Sequence, residues 1–514
     1  MTDSLTRLAA EQQRQFDTST LPRTRKERGH FGTSPAIADF MAGMFTQIPQ
    51  GPVRVLDPGA GVGTLSAAVC QRVLQQRNRR HLVFELWEND PRLEVRLRGT
   101  MEACRQALRD AGHEMEFTIR SEDFVLEHAQ PSLFGPPSGP LFDLVIMNPP
   151  YYKVPKDAAG ARAMIHVVHG QPNMYALFMA VAVDLLREGG ELVAITPRSY
   201  FNGPYFKRFR KWFFDRMTAR QIHVFESRSD VFHEDEVLQE NVILLAEKGG
   251  QPKDVALTSS AGRHFPKVEH HALPYTRVIE DSSGDHLIRV ATSRLEQEIV
   301  EAVDRLPHRF RELPFKISTG PVVTFRSTEF LRRERSNDTA PLLWMHNVRP
   351  FVARFPPKNG KPAHILVSGE STRLLLPAKR YVLLKRFTAK EERRRLVAGI
   401  VEAKDSYSPF VGLENHLNYI YRLGSELSRD EALGLAALFN SVLVDRYFRA
   451  ISGSTQVNAA EIRAMPVPCV EAIREIGHGL EKSNDRISMT VERTVGEVIG
   501  LPKQLIRELC EASQ

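Results

Sequence analysis

The sequence predicts an α/β protein in which a doubly wound, mostly parallel sheet is followed by a region of mixed α+β pattern. Two observations carry this prediction. From residue 52 to residue 248, short apolar runs alternate with stretches of helical spacing, which is typical of a parallel sheet covered by helices on both faces. Beyond residue 285 this alternation is lost, and short strands, basic loops and helices follow one another.

The elements of the first region are predicted in chain order from apolar runs bounded by turn residues. Strands are expected at 53–56, 82–87, 115–119, 142–147, 191–195, 222–225 and 242–246. Helices are expected at 64–74 and 175–186, where apolar residues recur at helical spacing. Gly189-Gly190 is expected to form the turn between the second helix and the strand that follows it.

The second region is predicted to begin after a polar segment. Residues 251–285 are expected to form an irregular linker that ends in Asp-Ser-Ser-Gly-Asp, so the two domains span residues 1–250 and 286–514. Helices are expected over 293–305, 390–403 and 429–447 and in the tail from residue 470.

Composition limits the classes to which this chain can belong. It has 514 residues, and its four cysteines (70, 104, 469 and 510) are too scattered for a disulfide framework or a zinc ribbon. No apolar run approaches the roughly 18 residues of a membrane span. We therefore expect a cytoplasmic protein with no metal site and no membrane partner.

The positive charge is concentrated in one segment. Residues 311–400 hold 19 Lys and Arg against 7 Asp and Glu, a net charge of +12 in a chain whose total is +7. A basic patch confined to one domain is typical of a protein that binds a polyanion.

Asn148-Pro149-Pro150-Tyr151 is the most informative motif of the chain. It follows the predicted strand 142–147 directly, and its prolines stop that strand because proline lacks the N–H that a sheet requires. Ligands of open α/β sheets bind at the carboxyl ends of the strands. The turn offers an Asn oxygen, a backbone carbonyl and an aromatic ring. Two acceptors can draw the lone pair of an exocyclic amine out of conjugation while Tyr151 stacks on a planar base.

Residues at three further strand ends suggest a binding site for a second ligand. Asp57 precedes the turn Gly59-Ala60-Gly61, whose glycines allow a ligand close to the backbone, and the acid favours a cation over a pyrophosphate. Glu88 ends the second strand, where an acid can bind both ribose hydroxyls. Asp123-Phe124 follows the third strand and could bind an adenine ring. Together these groups predict a site for S-adenosylmethionine, whose activated sulfonium needs no metal.

The order of these motifs resembles that of the adenine-N6 DNA methyltransferases of type II restriction-modification systems. Upstream, His30-Phe31-Gly32-Thr33-Ser34-Pro35 is similar to the first motif of that family, a helix start that binds the methionine carboxylate. Its place before the Gly-rich turn, with the recognition domain last, matches the gamma arrangement. The resemblance implies a Rossmann-like methyltransferase sheet followed by a DNA target-recognition domain.

The resemblance also implies a role for each motif residue. The cofactor-binding residues are Thr33 for the carboxylate, Asp57 for the ammonium, Gly59 and Gly61 in the turn, Glu88 for the ribose, and Asp123 and Phe124 for the adenine. The catalytic residues are Asn148 and Pro149, which accept from the target amine, with Pro150 and Tyr151 framing the two ligands.

A second aromatic residue, which sandwiches the flipped base in members of that family, is expected after a later strand. The matching place in this chain is assigned to Ala246, which has no ring, and the substitutes considered are Phe225, Phe232 and Tyr200-Phe201.

The C-terminal region resembles the target-recognition regions of the same family. Polar loops at 317–320, 413–418 and 453–458 could donate to phosphates and bases, and the predicted DNA-binding residues are Lys385, Arg386, Arg349 and Arg326. The resemblance implies double-stranded DNA as the partner of a monomer, with a cognate restriction endonuclease as its functional counterpart.

The implied reaction is methyl transfer from S-adenosylmethionine to N6 of a flipped adenine within a short duplex site. N4-cytosine methylation, adenine methylation of RNA and methylation of a glutamine amide share the Asn-Pro-Pro-Tyr chemistry and compete with this reading. Ser more often stands at the Asn position in the cytosine enzymes, and the long basic region is surplus for a protein substrate. A nuclease around Glu402-Ala403-Lys404 and an inactive DNA-binding specificity module are two further hypotheses.

Overall fold

The computed structural model describes residues 4–19, 32–46, 48–128, 141–169, 172–225, 241–260, 265, 268–281, 284–357, 360–387, 393–452, 456–483 and 487–513. The chain divides into two compact units, Met1–Thr292 and Ser293–Gln514. Each unit has an apolar core of its own.

The first unit is built on one large sheet. Its strands are β1 (Pro52–Pro58), β2 (His81–Trp87), β3 (Glu114–Arg120), β4 (Phe142–Met147), β5 (Leu186–Pro197), β6 (Met217–Phe225), β7 (Asn241–Lys248), β8 (Val255–Ser260) and β9 (Val268–Leu273). They are ordered β3-β2-β1-β4-β5-β7-β6-β8-β9. β1 to β5 are parallel, whereas β7 runs antiparallel to β5 and β6. The carboxyl ends of β1 to β5 therefore meet at one edge of the sheet.

Helices connect these strands. Their bounds are α1 (Leu5–Ser19), α2 (Pro35–Met44), α3 (Thr64–Leu74), α4 (Pro91–Asp110), α5 (Phe124–His128), α6 (Ala159–Ala163), α7 (Met174–Leu185), α8 (Lys207–Phe214) and α9 (Tyr275–Val278). The start of α2 is fixed by Ser34, whose side chain accepts a hydrogen bond from the N–H of Ile37, and by Pro35 in the first turn. This cap places Thr33 beside the carboxyl edge of the sheet.

The second unit combines small sheets with a group of helices. Its helices are α10 (Arg294–Asp304), α11 (Arg429–Asn440), α12 (Val442–Ile451), α13 (Ala459–Ala464), α14 (Val470–Ser483), α15 (Ser488–Val498) and α16 (Lys503–Ala512). The second unit contains two short two-stranded sheets, β12 (His308–Arg309) with β24 (Pro466–Val467), and β16 (Val348–Arg349) with β17 (Val352–Ala353). A third such pair, β10 (Ile279–Glu280) with β11 (Leu287–Ile288), belongs to the first unit.

Two larger sheets carry the remaining strands of the second unit. One contains β13 (Phe315–Thr319), β23 (Leu417–Arg422), β20 (Tyr381–Lys385) and β21 (Ala398–Val401), in that order. The other contains β14 (Leu331–Arg332), β18 (His364–Leu366), β15 (Thr339–Leu343), β22 (Phe410–Leu413) and β19 (Leu375–Pro377), in that order. The fold is the predicted one, a doubly wound sheet followed by a mixed α+β unit.

Three local predictions are corrected. Residues 251–285, predicted as an irregular linker, contribute β8 and β9 to the sheet, and the first unit extends to Thr292. β9 is largely exposed, so it lacks the apolar run by which strands were recognised. Gly189-Gly190 lies within β5 and not in a turn before it, where the pairing with β4 is irregular. A helix over 390–403 is wrong, because the described part of that segment contains the strand β21.

Candidate active site

A cavity of about 630 Å³ opens at the carboxyl edge of the first unit's sheet. Its size is that of a site for a small organic ligand. The residues that line it include eight of the predicted site residues: Thr33, Gly59, Gly61, Glu88, Asp123, Phe124, Asn148 and Pro150. Three others are buried behind this lining: Asp57, Pro149 and Tyr151. The structure thus brings together residues that are spread over more than a hundred positions of sequence.

The Gly-rich turn forms one wall of the cavity. The N–H groups of Gly59 and Ala60 both donate to the carbonyl of Trp87, at 2.8 and 2.9 Å, which fixes the turn against the end of β2. Gly59 has φ +74° and Gly61 has φ +58°, a backbone region that favours glycine. A Cβ on Gly59 would lie 3.6 Å from the ring of Phe178, so the glycine also keeps the cavity open on that side.

Asp57 lies at the end of β1 and is fully buried. Its Oδ2 accepts a 2.6 Å hydrogen bond from the hydroxyl of Ser66, whereas Oδ1 has no hydrogen-bond partner among the described residues. Burial raises the pKa of Asp57 to about 7, although the Ser66 bond opposes the rise. An unsatisfied buried oxygen is costly, so a cationic ligand reaching this carboxylate would relieve that cost.

Glu88 lies at the end of β2 and holds the turn from the other side. Its Oε2 accepts from the N–H of Gly61 at 3.0 Å and its Oε1 accepts from the N–H of Asp90 at 2.8 Å. Burial raises the pKa of Glu88 to about 7, while these backbone bonds lower it. Each carboxylate oxygen retains a further lone pair, so the group can still accept from ligand hydroxyls.

Asp123 and Phe124 follow β3 and form the next part of the wall. Asp123 caps α5, because its Oδ1 accepts from the N–H groups of Val125 and Leu126 at 3.0 and 2.9 Å. The ring of Phe124 is buried and packs at 5.5 Å, edge to face, on Trp87. A fixed aromatic face beside an acid suits the adenine ring that the sequence predicts for this position.

Asn148 is held by two hydroxyl groups. Its Nδ2 donates to Thr33 Oγ1 at 3.0 Å, and its Oδ1 accepts from the hydroxyl of Tyr151 at 2.6 Å. The Tyr151 hydroxyl also lies 2.9 Å from the carbonyl oxygen of Ile195 in β5, a second acceptor for its single proton. These contacts fix the plane of the Asn148 amide at the cavity.

Tyr151 differs from the stacking residue that the motif predicts. Its ring is only 9% exposed and packs edge to face on Tyr175, with ring centroids 6.3 Å apart. The next residue, Tyr152, is 37% exposed and lines the cavity. A stacking role for Tyr151 stays a prediction, and Tyr152 is an aromatic residue at the cavity that sequence reasoning missed.

The assignment of the second aromatic position to Ala246 is wrong, because β7 runs antiparallel to β5. Asn241 therefore pairs with Pro197 at the carboxyl end of β5, whereas Ala246 pairs with Leu192 further down the sheet. The matching position therefore precedes Asn241 and lies outside the described residues, as does Phe232. The rings of Tyr200, Phe201 and Phe225 are buried in the core.

Further lining residues had no signal in the sequence. Gln13 and Phe16 reach the cavity from α1, and Phe178 reaches it from α7. Phe16 is buried in a small apolar cluster with Val62 and Leu93. A short motif cannot identify residues that a distant helix brings to the site. The helical spacing of α1 and α7 indicates only that these side chains face the interior.

The predicted DNA-binding residues are in the second unit and have different surroundings. Arg386 binds protein, with Nη1 donating to the carbonyl of Asn415 at 2.7 Å and Nη2 to Gln456 Oε1 at 2.8 Å. Arg326 stacks on the exposed ring of Phe325 at 5.3 Å. Lys385 and Arg349 lie close enough to His346 to act on it electrostatically. The four residues therefore do not form one group.

Membrane spans and metal sites are both absent from the described residues. These residues contain no helix that is long and apolar enough to cross a membrane. In the same part of the chain, no three His, Cys, Asp or Glu residues are grouped so as to hold a metal ion.

The sheet order, the Gly-rich turn after β1, the acid after β2 and the Asn-Pro-Pro-Tyr turn after β4 define a methyltransferase. The Eco57I restriction-modification methylase family matches residues 103–232. The type II methyltransferase M.BsuBI of Bacillus subtilis is 34% identical over 462 residues, which cover 89% of this chain and 91% of that protein. M.PstI of Providencia stuartii is 34% identical over 471 residues, covering 91% and 92%. The chain belongs to the type II methyltransferases of restriction-modification systems.

A solved structure of much lower sequence identity has a similar fold. The type IIL restriction-modification enzyme MmeI in complex with DNA superposes with a TM-score of 0.54 at 11% identity, over 93% of this chain and 70% of that chain. At this level of identity the likeness concerns the fold alone, and it includes both units.

Proposed function

We propose that this chain transfers a methyl group from S-adenosylmethionine to N6 of an adenine within a short site of duplex DNA. The observation that carries the proposal is that Asn148 shares one cavity with the Gly59–Gly61 turn, Glu88 and Phe124. One cavity therefore offers acceptors for an amine beside a polar and aromatic frame for a nucleoside. In this proposal the protein acts as a monomer, and a separate endonuclease that cleaves the unmethylated site is its functional counterpart.

The residues of the cavity fit S-adenosylmethionine, which supplies a methyl group already activated by a positive sulfur. Asp57 Oδ1, buried and without a hydrogen-bond partner among the described residues, suits the ammonium group. Glu88 suits the ribose hydroxyls, and the ring of Phe124 suits the adenine. The hydroxyl of Thr33 accepts from Asn148 and keeps its own proton to donate to the carboxylate.

The acceptor groups suit an exocyclic amine. Asn148 Oδ1 can accept one N–H of the amine, because a carbonyl oxygen has two lone pairs and Tyr151 uses one. The carbonyl of Pro149 is the second acceptor in this proposal. Together they hold the nitrogen lone pair towards the methyl donor. An adenine paired in a duplex cannot reach this cavity, so the base must flip out of the helix at a cost of a few kcal/mol.

Two observations support duplex DNA as the substrate: the positive charge of the second unit and the similarity to type II methyltransferases. The segment 311–400 carries a net charge of +12, which suits the phosphate backbone. The two relatives are named type II methyltransferases, and their similarity to this chain extends over most of their length. Adenine is favoured over cytosine because Asn148, and not Ser, stands at the first position of the motif.

Transfer from radiolabelled S-adenosylmethionine to unmethylated plasmid DNA tests this function. After transfer the DNA is digested to nucleosides, which are separated and identified by mass spectrometry. We expect the label in N6-methyl-2′-deoxyadenosine and none with Asn148→Ala. Label in N4-methyl-2′-deoxycytidine would replace the adenine assignment. Label that enters cellular RNA in a parallel reaction, with none in the plasmid, would replace the DNA assignment.

A further inference from the structure

A cluster of basic side chains lies in the second unit around His346. It consists of His346, Arg349, Lys361, Lys385 and His416, and is called the His346 surface below. Burial lowers the pKa of His346, and the positive charges of the other four residues lower it further. His346, Arg349 and Lys361 are exposed, and Lys385 and His416 are half-buried. Like charges held together at a surface repel one another, and a bound polyanion offsets that repulsion.

The backbone brings four of these residues together from three separate segments. His346 and Arg349 follow β15, Lys385 ends β20, and His416 follows β22. The N–H of Glu414 donates to the carbonyl of Leu343 at 3.0 Å, which joins the first segment to the third. The N–H of Arg386 donates to the carbonyl of His416 at 2.9 Å, which joins the second to the third. These four residues are therefore held at strand ends that backbone hydrogen bonds join to one another.

His416 is the braced side chain of this surface. Its Nδ1 contacts Glu414 Oε1, and the Glu414 side chain is only 1% exposed. Its ring also packs edge to face on Phe387, with centroids 4.8 Å apart. The other ring nitrogen, Nε2, can donate to or accept from a base edge. The side chain is 40% exposed, so a ligand on the surface can reach it.

Lys361 and Arg386 add to this arrangement in different ways. The ammonium of Lys361 lies 4.4 Å from the ring centre of Trp344, which keeps the cation over an aromatic face. Arg386 ties the His416 segment to Gln456 and so supports the surface from within. The positive charge that faces solvent is therefore carried by Arg349, Lys361 and Lys385.

We propose that the His346 surface is the place where the second unit reads duplex DNA, with Arg349, Lys361 and Lys385 on phosphates and His416 on a base edge. The assignment rests on the proposed function, since it takes DNA as the polyanion. Long flexible cations position a duplex without reading it, whereas discrimination between bases requires a side chain with a fixed orientation. Glu414 and Phe387 supply that orientation to His416.

The phosphate part is tested by the salt dependence of DNA affinity. The duplex is an oligonucleotide that carries the methylated site mapped by sequencing. For the full-length Arg349→Ala and Lys385→Ala variants we expect a severalfold weaker affinity and a slope of log affinity against log salt that is reduced by about one for each residue. Lys503→Ala, which removes an exposed lysine of α16, is the matched control and should leave the slope unchanged. Equal slopes for all of these proteins would overturn the phosphate assignment.

The reading part is tested with His416→Ala. We expect its ratio of kcat/KM for the mapped site over sites with one altered base pair to fall by about tenfold or more, with a thermal melting temperature near that of the unsubstituted protein. Glu414→Gln should change the ratio in the same direction by releasing the ring. An unchanged ratio in His416→Ala, or a change only in its salt slope, would overturn the base-edge role.

The proposed function and the His346 surface can fail separately. If the unsubstituted protein methylates no DNA, the proposed function fails, whatever the variants do. If it methylates DNA and Arg349→Ala, Lys385→Ala and His416→Ala all behave as Lys503→Ala does, the function stands and the His346 surface is excluded.

Discussion

The side-chain amide of Asn148 donates a 3.0 Å hydrogen bond to Thr33 Oγ1, across 115 positions of sequence. This bond joins the start of α2 to the turn after β4. Thr33 was expected to serve the cofactor and Asn148 the target base, and the structure couples the two residues directly. An amide held by this bond has one defined plane, so its oxygen is oriented before the target amine arrives.

Thr33→Val removes the acceptor of this bond and keeps the shape of the side chain. We expect kcat for methyl transfer to fall about tenfold, which corresponds to roughly 1.4 kcal/mol and is in the range of one hydrogen bond. KM for S-adenosylmethionine should rise as well, because the carboxylate loses a donor. Steady-state kinetics with both substrates varied measures the two effects. Thr33→Ser restores the hydroxyl and should restore kcat, and a Ser variant as slow as the Val variant would contradict the role of the bond.

Tyr151→Phe removes the hydroxyl that donates to Asn148 Oδ1 and keeps the ring. We expect a loss of about 1 kcal/mol in the free energy of unfolding and a several-fold lower kcat, since the amide oxygen loses a partner. Chemical denaturation and single-turnover transfer measure these effects. Tyr175→Phe is the matched control, because Tyr175 is also buried and its hydroxyl lies 2.9 Å from that of Ser199. A similar loss of kcat in both variants would contradict a specific role for the Tyr151–Asn148 bond, because the loss would then follow from removing any buried hydroxyl near the site.

The buried acids predict how pH affects the protein. Burial raises the pKa of both Asp57 and Glu88 to about 7. A carboxyl whose folded-state pKa lies above its unfolded value stabilises the fold at low pH, and this contribution is lost as pH rises through about 7. Without ligand, melting temperature should therefore fall as pH rises from about 5 to about 8.

A ligand with an ammonium group should offset this loss when it binds beside ionised Asp57. The rise in melting temperature caused by S-adenosylhomocysteine should thus be larger at about pH 8 than at about pH 6. Thermal melts with and without the ligand measure the difference, and Asp57→Asn should reduce it. A ligand effect that is larger at the lower pH would contradict the placement of the ammonium at Asp57.

Arg386→Ala separates a supporting arginine from a DNA-binding one. We expect a loss of about 2 kcal/mol in the free energy of unfolding, because the carbonyl of Asn415 and the amide of Gln456 lose their charged donor. Lys385→Ala, one residue earlier, should cost little stability. Denaturation midpoints compare the two, and a stable Arg386→Ala variant with weak DNA binding would return Arg386 to the DNA contacts.

The features that were predictable from the sequence are those with a local signal. The strands β1 to β7 and the helix α3 follow from apolar runs, and Gly59, Glu88 and Asn148 follow from their places at strand ends. These positions depend on the backbone near each motif, which the sequence determines locally. The exposed strand β9 has no apolar run, so the sheet extends past the predicted domain end.

The remaining features depend on contacts between distant segments. The burial of Tyr151 beneath Ile195, the approach of Phe16 and Phe178 to the cavity and the mismatch at Ala246 all require the packing of whole elements. Ala246 in particular was misplaced because the sequence does not give the direction of β7 in the sheet. Arg386 is a similar case. In a run of basic residues, the sequence alone does not distinguish an arginine that bonds to the protein's own groups from one that contacts DNA.

Long-read sequencing of genomic DNA from cells that express this chain tests the central claim most directly. Cells with the unsubstituted protein should carry N6-methyladenine at one position of one short motif throughout the genome. Cells that express Asn148→Ala at the same level should carry none at that motif. Modified cytosine at the motif, or the same adenine signal with Asn148→Ala, would contradict the assignment of adenine-N6 transfer to this cavity.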